Sequence, residues 1–205
     1  MVSMEPRTKE EIIEIQKRRT ARLVSDDSPV PLEARRKSFA GLEYFPIDPL
    51  YQFRLKLQRY ESPVMVRIGL SNGEVVEALR VGFLEFVLDG RLLRLQVYKK
   101  RVDDLEVFVP FKDLTSAVET YGAGRYVDVQ VDTTDDSCVL DFNLAYNPLC
   151  AFGSGEFDCP LPPAENWLLD VAIRAGEKNT MARPEFSVSI REFSGHLAFS
   201  WEFAF

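Results

Sequence analysis

From Tyr51 onward the chain alternates between apolar and polar positions. Tyr51, Phe53, Leu55 and Leu57 are apolar and Gln52, Arg54, Lys56 and Gln58 are polar, the period-two pattern of a strand with one face in a core and one in water. Val64, Val66, Ile68 and Leu70 repeat the pattern, and Ser71-Asn72-Gly73 supplies residues that tolerate left-handed turn geometry. Leu79 to Leu88 is apolar on both faces and runs into Asp89-Gly90, a hairpin signal, after which Leu93, Leu95 and Val97 alternate again. A further strand is expected over Leu105 to Pro110. Arg125 to Asp132 and Cys138 to Asn143, joined by the polar Thr133 to Ser137, form the clearest pair: Val127, Val129 and Val131 share one face, and Cys138, Leu140 and Phe142 share one face of the partner. Leu168 to Ile173 is a last apolar segment. Strands in hairpin order predict a mainly β fold, an antiparallel β-barrel or sandwich.

The pattern ahead of the strands is helical. Thr8 with Glu11 three residues on is a capping box, and Ile12, Ile13, Ile15 and Leu23 make a broken apolar stripe, so a helix is expected from Thr8 to about Leu23. Ser25 to Pro31 breaks it, and a second short helix is expected over Leu32 to Lys37. Phe39, Leu42, Tyr44 and Phe45 then anchor the chain before the turn Pro46 to Pro49. The first helix is more polar than a buried one, which makes it an appendage. The resulting division is an N-terminal helical extension over 1–38, a single β-rich domain over 39–178, and a tail over 179–205. The aromatic halves of that tail, Glu185 to Phe193 and His196 to Phe205, suit an added hairpin or a segment that needs a partner surface.

Charge and composition narrow the function. The 205 residues carry a net charge of -7, and twelve acidic side chains fall between Val102 and Asp158 against only Lys112 and Arg125. Such a chain repels nucleic-acid phosphates, so no nucleic-acid partner is expected. No apolar run approaches the roughly 18 residues that cross a bilayer, so no membrane partner is expected either. Met1 to Thr20 lacks the apolar core of a secretory signal, which places the chain in the cytoplasm. The one histidine, His196, makes multi-histidine metal sites impossible, and its place beside Gly195 is that of a hairpin turn. Of the three cysteines, Cys138 has core parity, whereas Cys150 and Cys159 bracket a Pro-bounded loop that should hold them close in space and, in the cytoplasm, reduced.

Candidate chemistry clusters at the ends of the Arg125–Asp132 and Cys138–Asn143 pair. Tyr121-Gly-Ala-Gly124 precedes a strand, as a turn would; a phosphate loop would lead into a helix. Arg125 has the parity of Val127 and Val129, so its guanidinium enters the core and must find a partner. Asp113, Asp141 and Glu177 are candidates, and the alternative is an anionic ligand gripped by the guanidinium fork. Asp141 and Asn143 project from one face. With Asp113 and Thr115 they could form an oxygen-rich cluster for a divalent metal or a pair of acid–base carboxylates, or simply satisfy loop amides. Asn147-Pro148 and Pro160-Leu-Pro-Pro163 stiffen a loop carrying Tyr146, Phe152, Phe157 and the cysteines, a suitable pocket wall. Antiparallel register brings Arg125 and Asn143 to the same end of the pair.

The run Phe108-Val-Pro-Phe-Lys-Asp113-Leu-Thr115 through Tyr121-Gly-Ala-Gly124-Arg125-Tyr126, then Leu140-Asp141-Phe-Asn143-Leu-Ala-Tyr146-Asn147-Pro148, resembles an uncharacterised prokaryotic family, domain of unknown function 1684. Cys150-Ala-Phe, Cys159-Pro-Leu-Pro-Pro163, Glu165-Asn166, Ile173-Arg-Ala-Gly-Glu177-Lys178 and, earlier, Phe39-Ala-Gly41-Leu-Glu-Tyr44-Phe-Pro46 extend the resemblance over roughly Pro31 to Lys178. The resemblance implies domain limits and no activity. Ala117 stands where similar sequences usually have Gly, and the spacing of Cys150 and Cys159 is looser than in the family's compact loop.

Three functions are compatible with this pattern. The first is a non-enzymatic protein that binds a small molecule or divalent metal in a pocket lined by Tyr121, Arg125, Asp141, Asn143 and Tyr146. The second is a carboxylate-dependent, hydrolase-like enzyme using Asp113, Asp141 or Glu177, and the third an interaction module that docks a partner through its helix and aromatic tail. No cofactor is specified.

Overall fold

In the computed structural model, which describes residues 5–30, 41–99, 106–152 and 157–179, Thr8 caps helix α1 (Lys9–Val24). Its hydroxyl accepts the Glu11 amide, and the Glu11 carboxylate accepts the Thr8 amide at 2.8 Å. The helix ends at Ser25, whose extended backbone leaves its amide donating to Ala21. The expectation of an appendage is corrected here. Ile12, Gln16, Arg19 and Leu23 fall on one helical face, Ile12 and Leu23 are buried, and Leu23 packs with Val30 and Phe152. The stripe looked broken because two of its positions are polar. Both reach specific partners: Gln16 donates to the Asn143 carbonyl and Arg19 to Glu177.

The rest is mostly β, a curled antiparallel sheet that forms a half-barrel. Its strands are β1 (Gln52–Lys56), β2 (Gln58–Gly69), β3 (Val75–Leu88), β4 (Arg91–Lys99), β5 (Glu106–Asp113), β6 (Arg125–Gln130), β7 (Ser137–Asp141) and β8 (Trp167–Leu168). Strands β2 to β6 pair in sequence order, β8 runs parallel beside β5, and β1 pairs with β7 in a separate ribbon. Asp89 and Gly90 both adopt positive φ in the β3–β4 turn, as a tight hairpin between right-twisted strands requires. The alternating residues face one core: Leu84, Leu95, Val97, Val107, Val109, Phe111, Val127, Val129, Cys138, Leu140 and Phe142 are all buried in it. The expected helix over Leu32 to Lys37, His196 and the aromatic tail lie outside the described residues.

The clearest pair in the sequence is not a continuous ladder. β6 pairs with β5, setting Phe111 opposite Arg125, while β7 pairs with β1, setting Phe53 opposite Leu140. The two segments are linked by the bridges Val131–Cys138 and Tyr126–Tyr146 and by the Asp132 amide, which donates to the Ser137 carbonyl at 2.8 Å. Asp141 causes the departure. Its carboxylate caps a 3₁₀ helix, Phe142–Leu144, by accepting the Asn143 amide at 3.0 Å. Counting back from Val131–Cys138, Tyr126 would face Asn143; the 3₁₀ turn delivers Tyr146 instead. Alternation detects two strands of opposite direction but not a local turn that keeps Phe142 in the core.

Phe142 is fully buried, with ring centres of Phe111, Phe86 and Phe53 at 5.2, 5.5 and 6.1 Å. Phe142→Ala is expected to destabilise by about 3 to 5 kcal/mol; an unchanged urea midpoint would contradict this placement. Ala117 adopts φ 66° in the turn after β5. Left-handed backbone strains a side chain by about 1 to 2 kcal/mol, and glycine returns part of that as unfolded-state entropy. Ala117→Gly should therefore raise stability by roughly 0.5 to 1 kcal/mol, and a lowered thermal midpoint would refute the strain.

Candidate functional site

Arg125 opens β6 at the inner face of the sheet and is 1% exposed. Its Nη2 donates to Asp113 Oδ2 at 3.2 Å and to the Ile173 carbonyl at 2.8 Å, and its Nη1 donates to the carbonyls of Ala175 and Glu177. The guanidinium carbon sits 5.1 Å from the centre of the Phe111 ring. Burial lowers its pKa, opposed by the Asp113 charge, and an arginine remains charged there. Gly124, just ahead, has φ 104°, and a Cβ on it would stand 2.7 Å from the Phe111 carbonyl. Only glycine admits the chain at this point.

The other carboxylates are equally committed. Asp113 also accepts the Ile173 amide at 2.7 Å and the Thr115 hydroxyl at 2.6 Å, and Thr115 is itself 2.9 Å from the Thr120 hydroxyl. Asp141 accepts both nitrogens of Asn143 and the Gln52 amide. Asn143 in turn pins the Asp48 backbone through its side-chain nitrogen and oxygen, at 2.9 and 3.0 Å. Glu177, fully buried, accepts from Arg19 and from the Asn147 amide at 2.8 Å. Burial pulls the Arg19 pKa down, but the Glu177 charge and hydrogen bond outweigh it and raise it. Gly176, beside Glu177, has positive φ and would place a Cβ 2.4 Å from the Ala145 carbonyl.

These contacts correct the expected pocket. Arg125, Asp141 and Asn143 direct their polar atoms to Asp113, the 173–177 carbonyls, Gln52 and the Asp48 backbone, and so hold loops to the core. Asp113, Thr115 and Glu177 form no shared acidic cluster, because each carboxylate is matched by its own arginine and amides. Among the described residues no three His, Cys, Asp or Glu side chains converge as a metal site. Tyr121 points elsewhere, with its hydroxyl 3.7 Å from Cys150 Sγ.

Of the five expected lining residues, Tyr146 borders a cleft. This cleft of about 880 Å³ lies between α1 and the sheet end, and Arg18, Arg19 and Arg22 of α1 border it opposite Tyr126, Tyr146 and Asp128. Tyr126 and Tyr146 meet edge to face at 5.7 Å, and Phe108 packs on Tyr126 at 4.7 Å. Arg19 lies over the Tyr146 ring at 4.4 Å and donates to the Asn147 carbonyl. The Tyr146 hydroxyl donates to Asp128, and the Tyr126 hydroxyl to the Pro160 carbonyl. Burial raises the pKa of both phenols, which stay protonated as donors at neutral pH. The stiff loop supplies Pro148, Phe157, Cys159 and Pro160 to the wall. Sequence reasoning missed the arginines. Their signal is the spacing Ile15, Arg18, Arg19, Arg22, which puts all four on one helical face.

A family model described as protein of unknown function (DUF1684) matches residues 37–178. The solution NMR structure of an uncharacterised protein from Haloarcula marismortui is similar, with 34% sequence identity, a TM-score of 0.65, and coverage of 82% of this chain and 93% of that one. No curated protein matches the chain.

Arg125→Met keeps the apolar stem and removes the charge, leaving Asp113 buried without its cation. A loss of about 3 to 5 kcal/mol is expected, with partial recovery when Asp113→Asn is added. A urea midpoint unchanged by Arg125→Met would show that the pair does not hold the loops.

Proposed function

The chain belongs to the family of proteins of unknown function DUF1684, and we propose from its own geometry that it is a non-enzymatic protein that binds a small anionic molecule with a flat or apolar portion. The observation that carries this reading is the cleft, whose volume of about 880 Å³ falls in the range of small-molecule sites. Its floor of Tyr126 and Tyr146 offers an aromatic surface held in place by hydroxyl contacts to Pro160 and Asp128. Its basic wall offers Arg18 and Arg22, whereas Arg19 is already neutralised by Glu177. Among the described residues, Arg18 contacts Glu14 at 3.5 Å to its carbonyl and 4.0 Å to its exposed carboxylate, both through Nε, which leaves its two Nη groups to face a ligand carboxylate or phosphate. The acid–base alternative has less support, since Asp113 and Asp141 are engaged by Arg125, Thr115, Ile173, Asn143 and Gln52, and Glu177 is held by Arg19 and the Asn147 amide at the cleft edge.

A thermal-shift panel of aromatic carboxylates, aliphatic dicarboxylates and nucleoside monophosphates tests the reading. A ligand at a hundred times its Kd stabilises the native state by about 2.7 kcal/mol, a rise of roughly 5 to 10 °C for a chain of this size. The rise should disappear in Arg18→Met/Arg22→Met and shrink in Tyr146→Ala. No rise with any class, or a rise that survives the double arginine variant, would reject it.

A further inference from the structure

Two cysteines distant from the Arg125 node meet beside the cleft. Cys150 lies on the 3₁₀ helix Leu149–Phe152, held by the rigid Asn147-Pro148 step, and its amide donates to Cys159 Sγ at 3.3 Å. Cys159 is anchored separately, on the turn between β2 and β3. The Ser71 amide donates to its carbonyl at 3.0 Å, its own amide donates to the Ser71 hydroxyl at 3.1 Å, and Leu161 donates to Gly69 at 2.7 Å. The sulfurs are therefore brought together by two independently fixed segments. Both cysteines are free; Cys150 is half-buried, whereas Cys159 is buried and borders the cleft.

The Cys150 sulfur collects donors. The Cys159 thiol, followed by the Tyr121 hydroxyl, draws Cys150 down from 9.0 to about 6 against the opposing effect of burial. Sharing that proton raises Cys159. Cys138 has no such surroundings, and burial pushes its thiol up to about 11. Of the pair, Cys150 is the thiol drawn toward its thiolate, with the Tyr121 hydroxyl 3.7 Å from its sulfur, and Cys159 is the one driven to keep its proton.

We propose that Cys150 and Cys159 form a dithiol centre that is oxidised by hydroperoxides, with Cys150 as the attacking sulfur and Cys159 as the resolving one. The Cys150 thiolate attacks the terminal oxygen of the hydroperoxide. An S–O bond forms, the O–O bond breaks, and the departing alkoxide or hydroxide takes a proton from water, leaving Cys150 as a sulfenic acid. The Cys159 sulfur then attacks Cys150. The S–S bond forms as the S–O bond breaks, and the departing hydroxide leaves as water with the Cys159 proton. Two thiols and one hydroperoxide become one disulfide, one alcohol or water, and one further water. The centre operates whether or not the cleft holds a ligand.

Lowering a thiol from 9 to 6 raises its thiolate fraction at pH 7 roughly 90-fold, and the accompanying fall in nucleophilicity takes back roughly 20-fold, leaving about a fourfold advantage. The product tells more than the rate. On treating the full chain with stoichiometric hydrogen peroxide, two thiols should disappear, the mass should fall by that of two hydrogens, and the peptides carrying Cys150 and Cys159 should become joined while Cys138 stays free. Cys159→Ser keeps a hydroxyl donor at the site and should halt at a sulfenic acid trapped by dimedone on Cys150. Cys150→Ser should leave Cys159 unmodified. Tyr121→Phe, which preserves the packing, should slow oxidation by about twofold at most with the same disulfide as product. Oxidation of Cys159 in the Cys150→Ser variant at the original rate, dimedone capture on a residue other than Cys150, or over-oxidation of Cys150 without a disulfide would each overturn the proposal.

Discussion

A guanidinium taken out of water must be met by negative charge and carbonyl oxygen, and the architecture around β6 follows from how Arg125 is met. Leaving such a charge uncompensated costs about 3 to 5 kcal/mol, comparable to a large share of a domain's net stability. Asp113 supplies the charge from the end of β5, and the carbonyls of Ile173, Ala175 and Glu177 supply the remaining acceptors. The segment after β8 has little regular hydrogen bonding of its own, so the arginine acts as its sheet partner. That segment's backbone also bonds to Phe45 and Ala145.

A second buried pair extends the first outward. Glu177 emerges from the segment held by Arg125 and receives Arg19 of α1. The helix is thereby fixed by one ion pair, by Gln16 on the Asn143 carbonyl, and by Ile12 and Leu23 in apolar surroundings. The cleft depends on this docking, because one of its walls is the helix face adjacent to the buried stripe. Arg19 serves both: its Nε pairs with Glu177 below while its guanidinium covers the Tyr146 ring above. Cys159 and Pro160 also line the cleft, which puts one of the paired sulfurs at its wall.

The two arginines differ in how legible they were. Arg125 shares parity with Val127 and Val129, so a one-dimensional pattern already demands a partner for it. Arg19 also sits between Ile12 and Leu23 at helical spacing, but a polar residue in a short stripe resembles an interruption of the stripe. The expected pocket residues show a related limit. Tyr121, Arg125, Asp141, Asn143 and Tyr146 crowd together in sequence and at the strand ends, yet all but Tyr146 spend their polar atoms on the protein's own loops. Sequence proximity identified polar groups with work to do; it could not distinguish a ligand from a backbone amide as the partner.

What the sequence determined by itself is what depends on near neighbours. The capping box at Thr8 and Glu11, the alternation that buries Val107, Val109, Val127 and Val129, and the Asp89-Gly90 turn are decided within a few residues, by backbone sterics and by which face of an element is apolar. The pairing of β6 with β5 and of β7 with β1, the docking of α1, and the cleft were decided only in the folded chain. Each unites residues far apart in sequence through directional bonds such as Arg19 to Glu177 and Asn143 to Asp48. The residue types at one end of such a bond do not reveal which of several distant partners will complete it, because that choice minimises the unsatisfied charge of the whole interior.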